Sequence, residues 1–364
     1  MDIKELGEFG LIERIKRSFG KPQDDKVCHS ERSEESVLSI GDDCAVIPQQ
    51  DGLETLVTTD MLLEGSHFLR EDIPARLLGW KSAAVNFSDI AAMGGRPVGS
   101  FLSLGLPKGL DVEWMDEFIA GYKECSDFCD APLLGGDTTT SQAGICINVT
   151  VVGQCERGRS RKRSDAVAGD LVCVTGPLGD SGGGLKIILA RHSDTYCHSV
   201  TYCHSERSEE SRSFGKPQDD SKTQDDSKTQ DDKAAATLVE RHYHPTPRIR
   251  EGLALAATPG VHAMMDISDG IASDLRHILK ASGVGATIDT QAIPLSPELK
   301  DVCSHFGWDA LELALSGGED YELLFTMAPD AKPDIPYFVI GRITEGDNIT
   351  WQGSDRDFTG FRHF

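Results

Sequence analysis

The sequence predicts an α/β (α+β) chain of two domains, 1–157 and 158–364. Three observations carry that expectation. Apolar runs of strand length alternate with longer Ala- and Leu-rich runs of helical spacing, the pattern of layered mixed folds. Several strand runs end in Gly and Asp, where sites are usually built. A basic segment, "ERGRSRKRSDAVAGD", interrupts the pattern in a chain whose 364 residues suffice for two ordinary cores.

In chain order, Leu6 to Arg17 has the spacing of a short amphipathic helix, followed by an almost apolar-free stretch at 18–36 that reads as a loop. "VLSIGDDCAVIP" and "LETLVTTDMLLEG" read as strands. "PARLLGWKSAAVNFSDIAAMGG" reads as a helix that stops at its Gly pair. "PVGSFLSLGLP" is a strand, "DVEWMDEFIAGYKECSDFCD" a helix, and "APLLGGD" and "GICINVTVVGQC" two more strands. Beyond the basic linker, "LVCVTGPLGDSGGGLKIILA" reads as strand, Gly-rich turn and helix. A second low-complexity stretch covers about 193–233, and order resumes at "AAATLVERHYHPTPRIREGLALAA". "AMMDISDGIASDLRHILKASG", "ALELALSGGEDYELLFTM" and the strand "YFVIGRIT" complete the second domain.

The net charge of -23 repels a phosphate backbone, so nucleic acid is excluded as an expected partner. The N-terminus lacks the uninterrupted apolar region of a signal peptide and no run of membrane-spanning length occurs, so the expected location is cytoplasmic, without a membrane partner. Ten cysteines scattered without C-x-x-C pairs read as free thiols or small buried apolar groups.

Five acidic words stand out: "GDD" at Gly41, "TTD" at Thr58, "NFSD" at Asn86, "GGDTT" at Gly135 and "DISDG" at Asp266. Each alone reads as a turn or cap. Together, Asp carboxylates flanked by Ser, Thr and Gly form the oxygen-rich set that holds Mg2+ between protein and phosphate. The word "GDSGG" at Gly179 surrounds the nucleophile in trypsin-like proteases, but here it opens a helix after a strand. No G-x-x-x-x-G-K-[ST] pattern occurs, so ATP chemistry of the P-loop kind is excluded.

"GEFGLIERI", "IGDDCAVI", "TTDMLLEGSHF", "GWKSAAVNFSDIAAMGGRP", "LLGGDTT", "VTGPLGDSGGGL", "PTPRIREG", "DISDGIASDL" and "SGGEDYELLFT", in this order, resemble the thiamine-monophosphate kinase family. That family belongs to the superfamily of aminoimidazole ribonucleotide synthetase and selenophosphate synthetase. The resemblance implies a two-domain PurM-like fold, with the N-terminal domain forming a shared β-barrel in a homodimer. It implies ATP-dependent phosphorylation of thiamine phosphate to thiamine diphosphate, with several Mg2+ ions and ATP as co-substrate. It assigns Asp43, Thr58, Thr59, Asp60, Asp89, Asp137, Asp266 and Asp269 to the Mg2+ shell. Gly136, Arg163 and Ser268 match nucleotide-contacting positions, and His67, Glu319 and Phe361 match positions that contact thiamine phosphate. The loop after Arg163 departs from the family pattern, with Asp165 for Gly and Ala168 for Pro, so Arg159 and Arg161 stand as alternatives to Arg163.

The acceptor is a phosphate monoester, largely dianionic at neutral pH, so direct in-line transfer needs no general base and no covalent intermediate. The alternatives are another ATP-dependent synthetase of the superfamily or a non-catalytic nucleotide- or metal-binding relative. A hydrogenase-maturation relative would end in a Cys-bearing tail, whereas this chain ends "FRHF". The word "CHSERSEES" occurs at Cys28 and again at Cys203, at two junctions where the resemblance is interrupted. Its neighbour "RSFGKPQDD" precedes the first copy and follows the second, which points to a translated repetitive element tolerated in loops.

Overall fold

A computed structural model describes residues 10, 12, 14, 42–49, 51–191 and 222–360, with the backbone alone over 222–230. Phe361, both copies of "CHSERSEES" and the first insert at 18–36 lie outside the described residues. Of the expected N-terminal helix, Gly10, Ile12 and Arg14 are described and are helical.

The N-terminal part contains β1 (Ala45–Pro48), β2 (Leu53–Leu63), α1 (Ala75–Ala92), β3 (Arg96–Pro107), α2 (Val112–Phe128), β4 (Leu133–Ser141) and β5 (Cys146–Glu156). Its five strands form one sheet in the order β1-β2-β5-β3-β4, antiparallel except for the β3–β4 pair. In β2, alternation turns Leu56, Thr58 and Leu62 inward, while Thr59, Met61 and Leu63 face out. Helix α1 covers the inner face.

Helix α1 is not amphipathic because from Leu78 to Ala92 every residue except Asp89 is buried. Leu78, Ala83, Phe87 and Ile90 are fully buried, and so are Ser82, Asn86 and Ser88. Burying Phe87 alone contributes on the order of 2 kcal/mol. Its crossing with α2 brings backbones together: a Cβ on Gly79 would lie 1.9 Å from the Phe118 carbonyl oxygen, and one on Gly121 would lie 1.7 Å from that of Arg76. Only glycine permits both contacts.

The C-terminal part contains β6 (Leu171–Val174), α3 (Asp180–Arg191), α4 (Lys222–Tyr243), α5 (Ile249–Ala257), β7 (Val261–Asp266), α6 (Ile271–Ser282), β8 (Gly285–Asp289), α7 (Pro297–Phe306), α8 (Ala310–Ser316), β9 (Leu323–Met327), β10 (Phe338–Thr344) and β11 (Ile349–Gln352). Its six strands are ordered β11-β8-β10-β6-β9-β7 in a mixed sheet.

Two readings change in detail. Helix α4 starts at Lys222, inside the stretch read as low complexity. "KTQDDSKTQDDK" contains neither Gly nor Pro, so nothing in it stops a helix that the apolar face from Ala234 onward anchors. The basic segment is also held at several points. The Ser160 hydroxyl donates to Glu54 at 2.9 Å, Arg161 donates to the Ala256 carbonyl at 2.5 Å, and Arg163 to Asp165 form a 3-10 turn. It ties the two halves together.

Candidate active site

Three chain segments deliver carboxylates to one place. The loop before β1 carries Asp42 and Asp43, α1 carries Asp89 near its C-terminal end, and β7 ends at Asp266. Carboxylate oxygens of Asp43, Asp89 and Asp266 lie within 4.8 Å of one another. The Thr58 hydroxyl of β2 donates to Asp89, and the Ser88 hydroxyl donates to Asp266 Oδ2 at 2.6 Å. Arg163 donates to Asp43 through its guanidinium, and its backbone N–H faces both carboxylate oxygens of Asp42 at 3.3 Å.

Crowded acids out of water resist ionisation. Burial, then the neighbouring Asp43, pushes Asp42 and Asp266 up to about 7, and the same two causes push Asp60 up to about 6. Burial and the charge of Asp60 raise Asp89 well above the ordinary carboxyl value. Burial works against the Arg163 charge, but Asp43 outweighs it and raises the guanidinium further. Asp43 Oδ2 is buried without a hydrogen-bond partner. An all-oxygen set with an orphaned carboxylate atom and self-repelling acids fits a hard divalent cation such as Mg2+.

The assigned residues separate into those this chain brings together and those it does not. Asp43, Thr58, Asp60, Asp89, Asp266 and Arg163 belong to the cluster. Arg159 and Arg161 turn elsewhere, to Glu156 and to the Ala256 carbonyl, and of the three it is Arg163 that reaches the carboxylate cluster. The Thr59 side chain sits on the opposite face of β2, bonded to the Val149 carbonyl and Thr150, because strand neighbours alternate. Gly136 and Asp137 lie on the exposed edge strand β4. The rung Asp60, Val149, Leu102, Gly136 crosses three strand spacings, roughly 14 Å along the sheet. A Cβ on Gly136 would lie 1.7 Å from the Leu102 carbonyl oxygen, so only glycine fits that edge.

Ser268 and Asp269 occupy the turn after β7. The Ser268 carbonyl accepts the Glu319 N–H at 2.7 Å, and the Asp269 N–H donates to the buried Asp274 carboxylate at 3.2 Å. The turn therefore touches the "SGGEDYE" loop. In that loop Glu319 and Tyr321 have positive φ, 64° and 50°, a conformation that costs non-glycine residues on the order of 1 kcal/mol. Glu319 is held there with its carboxylate 2.9 Å from the Lys81 ammonium. Burial would raise Glu319, but the Lys81 charge outweighs it and keeps the carboxyl below its usual range. His67 Nδ1 accepts the Leu63 N–H at 3.0 Å, which leaves Nε2 to carry the proton of the neutral ring.

The "GDSGG" word opens α3 as expected. Ser181 Oγ lies 2.9 Å from His242 Nδ1, and Glu319 approaches that same nitrogen at 3.4 Å. A nucleophilic triad needs serine and carboxylate on different ring nitrogens, so this serine is not activated in that manner. Asp42, Lys81, Ser88, Ser181, His242 and Asp274 are all site neighbours that motif reading left unassigned. Asp42 and Ser88 lie inside the words "GDD" and "NFSD", and Lys81 shows as a charge amid the small apolar residues of α1.

Residues 41–155 match the family of the AIR synthase related protein, N-terminal domain, and 218–353 match its C-terminal domain. The thiamine-monophosphate kinase of Aquifex aeolicus is 36% identical over 100% of both chains, and that of Salmonella typhimurium is 35% identical over 98% of both. A solved structure described as AaThiL complexed with AMPPCP and TMP superposes with a TM-score of 0.79 at 34% identity, covering 100% of this chain and 99% of that one. Escherichia coli HypE, a hydrogenase maturation protein, shares the fold at 18% identity and a TM-score of 0.56, covering 85% of this chain and 84% of that one.

Proposed function

Since the chain belongs to the thiamine-monophosphate kinase family, we propose that it transfers the γ-phosphoryl group of ATP to thiamine phosphate, forming thiamine diphosphate. The observation that carries the reading is the three-segment carboxylate cluster of Asp43, Asp89 and Asp266, with Thr58, Asp60 and Arg163 around it.

Asp43, Asp60, Asp89 and Asp266 would hold Mg2+, with Thr58 orienting Asp89 and Ser88 orienting Asp266. When bound, the ions relieve repulsion between two phosphate anions and stabilise charge on the transferring group. Arg163, beside Asp43, supplies a fixed positive charge for the nucleotide phosphates. Ser268 and Asp269, whose turn touches the Glu319 loop, would contact the nucleotide and its metal. His67 and Glu319 face the acceptor, Glu319 as an ionised carboxylate toward its cationic organic part and His67 as an N–H donor. The thiamine phosphate dianion attacks in line without a general base, so no side chain forms a covalent intermediate.

Gly136 and Asp137 act at the edge of β4, at a distance from the carboxylate cluster of the same chain. The outward face of this sheet exposes Met61, Leu63 and Phe101, and a homodimer that pairs two such sheets into a shared barrel covers them. No helix among the described residues is long and apolar enough to cross a membrane. A cytoplasmic location accords with ATP as co-substrate.

The test is mass-spectrometric detection of thiamine diphosphate after incubation with Mg-ATP and thiamine phosphate. The wild-type chain forms it, and Asp60→Asn loses it while keeping its melting transition. ATP binding without thiamine diphosphate formation by the wild type overturns the reading.

A further inference from the structure

The Lys81 side chain is 1% exposed, while that of its partner Glu319 is 29% exposed. This asymmetry is unusual for a stability device, because a buried ion pair gains little over apolar packing. A fully buried cation bonded to a carboxylate whose side chain is partly exposed fixes that carboxylate at the edge of the accessible surface. The surroundings of Lys81 serve the same end. Its ammonium donates to Glu319 Oε2 at 2.9 Å and lies 3.5 Å from His242 Nε2. Burial, then the Lys81 charge, drives His242 down to about 3, so the ring is neutral. With Nε2 facing an ammonium, the ring proton sits on Nδ1. There it meets Ser181 Oγ at 2.9 Å and Glu319 Oε2 at 3.4 Å. Lys81 comes from α1, His242 from α4, Ser181 from the first turn of α3, and all three converge on one carboxylate.

Building on the proposed reaction, in which Glu319 contacts the acceptor, we propose that Lys81, backed by His242 and Ser181, is a positioning residue for Glu319 that sets affinity for thiamine phosphate and leaves nucleotide binding alone. The network fixes one carboxylate oxygen and the loop conformation of Glu319. Its effect falls on the cationic, nitrogen-bearing part of the acceptor, because that is the chemistry an ionised, outward carboxylate recognises. The hydrogen bonds of Lys81, His242 and Ser181 run to one another, to Glu319 and to Asp320, while those of Asp89, Asp266 and Arg163 run to Thr58, Ser88, Asp42 and Asp43.

The experiment measures KM for thiamine phosphate and for ATP separately in the full chain with Mg2+. Lys81→Met is expected to raise KM for thiamine phosphate by roughly 10- to 100-fold, as loss of supporting contacts does elsewhere, with KM for ATP within about twofold. Lys81→Arg recovers part of the loss, and Ser181→Ala and His242→Gln raise the same KM by about 3- to 10-fold. Equal changes in both KM values, or an unchanged KM for thiamine phosphate, overturn the proposal. If Lys81→Met fails to fold, the Ser181 and His242 variants decide by the same split.

A second readout is independent of turnover. The 13C-detected titration of the Glu319 carboxyl, which faces Lys81, His242, His67 and Tyr321, has its midpoint below ordinary glutamate in the wild type and above that position in Lys81→Met. An unmoved midpoint overturns the positioning role even in an active kinase. Absence of thiamine diphosphate with a shifted midpoint overturns the reaction and leaves the positioning role standing.

Discussion

Replacing Ser88 by alanine tests how the cluster is held together. Ser88 is 0% exposed, and its hydroxyl donates to Asp266 Oδ2 at 2.6 Å, across 178 residues of sequence and across the two halves of the molecule. The substitution removes one oxygen from a helix with no room to rearrange, so Asp266 loses a donor and gains no substitute. A hydrogen bond to a charged group contributes about 1.5–3 kcal/mol, a factor of roughly 10 to 150 in an equilibrium. Loss of a partner behind a metal ligand ordinarily weakens metal binding by roughly 10- to 100-fold. The two ranges agree. Mg2+ titration by calorimetry, and the Mg2+ concentration for half-maximal thiamine diphosphate formation, should both shift by about that factor. The metal-free melting temperature should fall by roughly 2–6 °C, the equivalent of one lost buried hydrogen bond. Unchanged Mg2+ affinity with a lowered melting temperature would refute the reasoning, since the bond would then serve the fold alone.

The raised carboxyls make metal-free stability depend on pH with a defined sign. Asp42, Asp60 and Asp266 hold their protons to about 7, 6 and 7 when folded, whereas the unfolded chain releases them near 3.8. Their contribution is complete below pH 3.8 and is lost as pH rises through 6 to 7, so in EDTA the melting temperature at pH 8 should lie below that at pH 5.5. Because the acids share protons, the fall amounts to roughly 5–10 °C, and Mg2+ at pH 8 should recover it. A melting temperature that rises with pH in EDTA contradicts the cluster. Replacing residues 193–221 with a short Gly/Ser linker should leave thiamine diphosphate formation and the melting temperature nearly unchanged, whereas a deletion continued to Asp232 also removes the start of α4 and the Asp231–His305 ion pair. A large loss from the first replacement would show that the repeated word has a role.

Much of the candidate site was legible because an oxygen-rich donor set is a composition signal. Asp43 stands just before β1 and Asp266 ends β7, whereas Asp60 lies inside β2 and Asp89 in the last turn of α1; what marks all four is a carboxylate set among Thr, Ser or Gly within an apolar run. Strand alternation, applied to "TTD", already separates Thr58 and Asp60 from Thr59, a distinction that the resemblance alone does not draw. The supporting residues were less legible for a physical reason. Ser88 reaches Asp266, and Lys81 reaches Glu319, only after two domains pack, and no local pattern encodes a contact over 178 or 238 residues. The start of α4 was missed because polar repeats have little helix drive of their own, and packing of its apolar second half supplies it.

The way α1 is gripped has a kinetic consequence. Along one side of this helix, Trp80 donates to the Pro245 carbonyl at 2.6 Å, Lys81 binds Glu319, Ser88 binds Asp266, and the Ala91 carbonyl oxygen lies 2.2 Å from where Gly252 would carry a Cβ. From Trp80 to Ala91 the contacts span roughly 16 Å of helix axis. A hinge motion that opened the cleft at one end would have to lever apart charged bonds at the other. Separating the two halves as rigid bodies would therefore break these contacts together, whereas movement of a single loop would leave them intact.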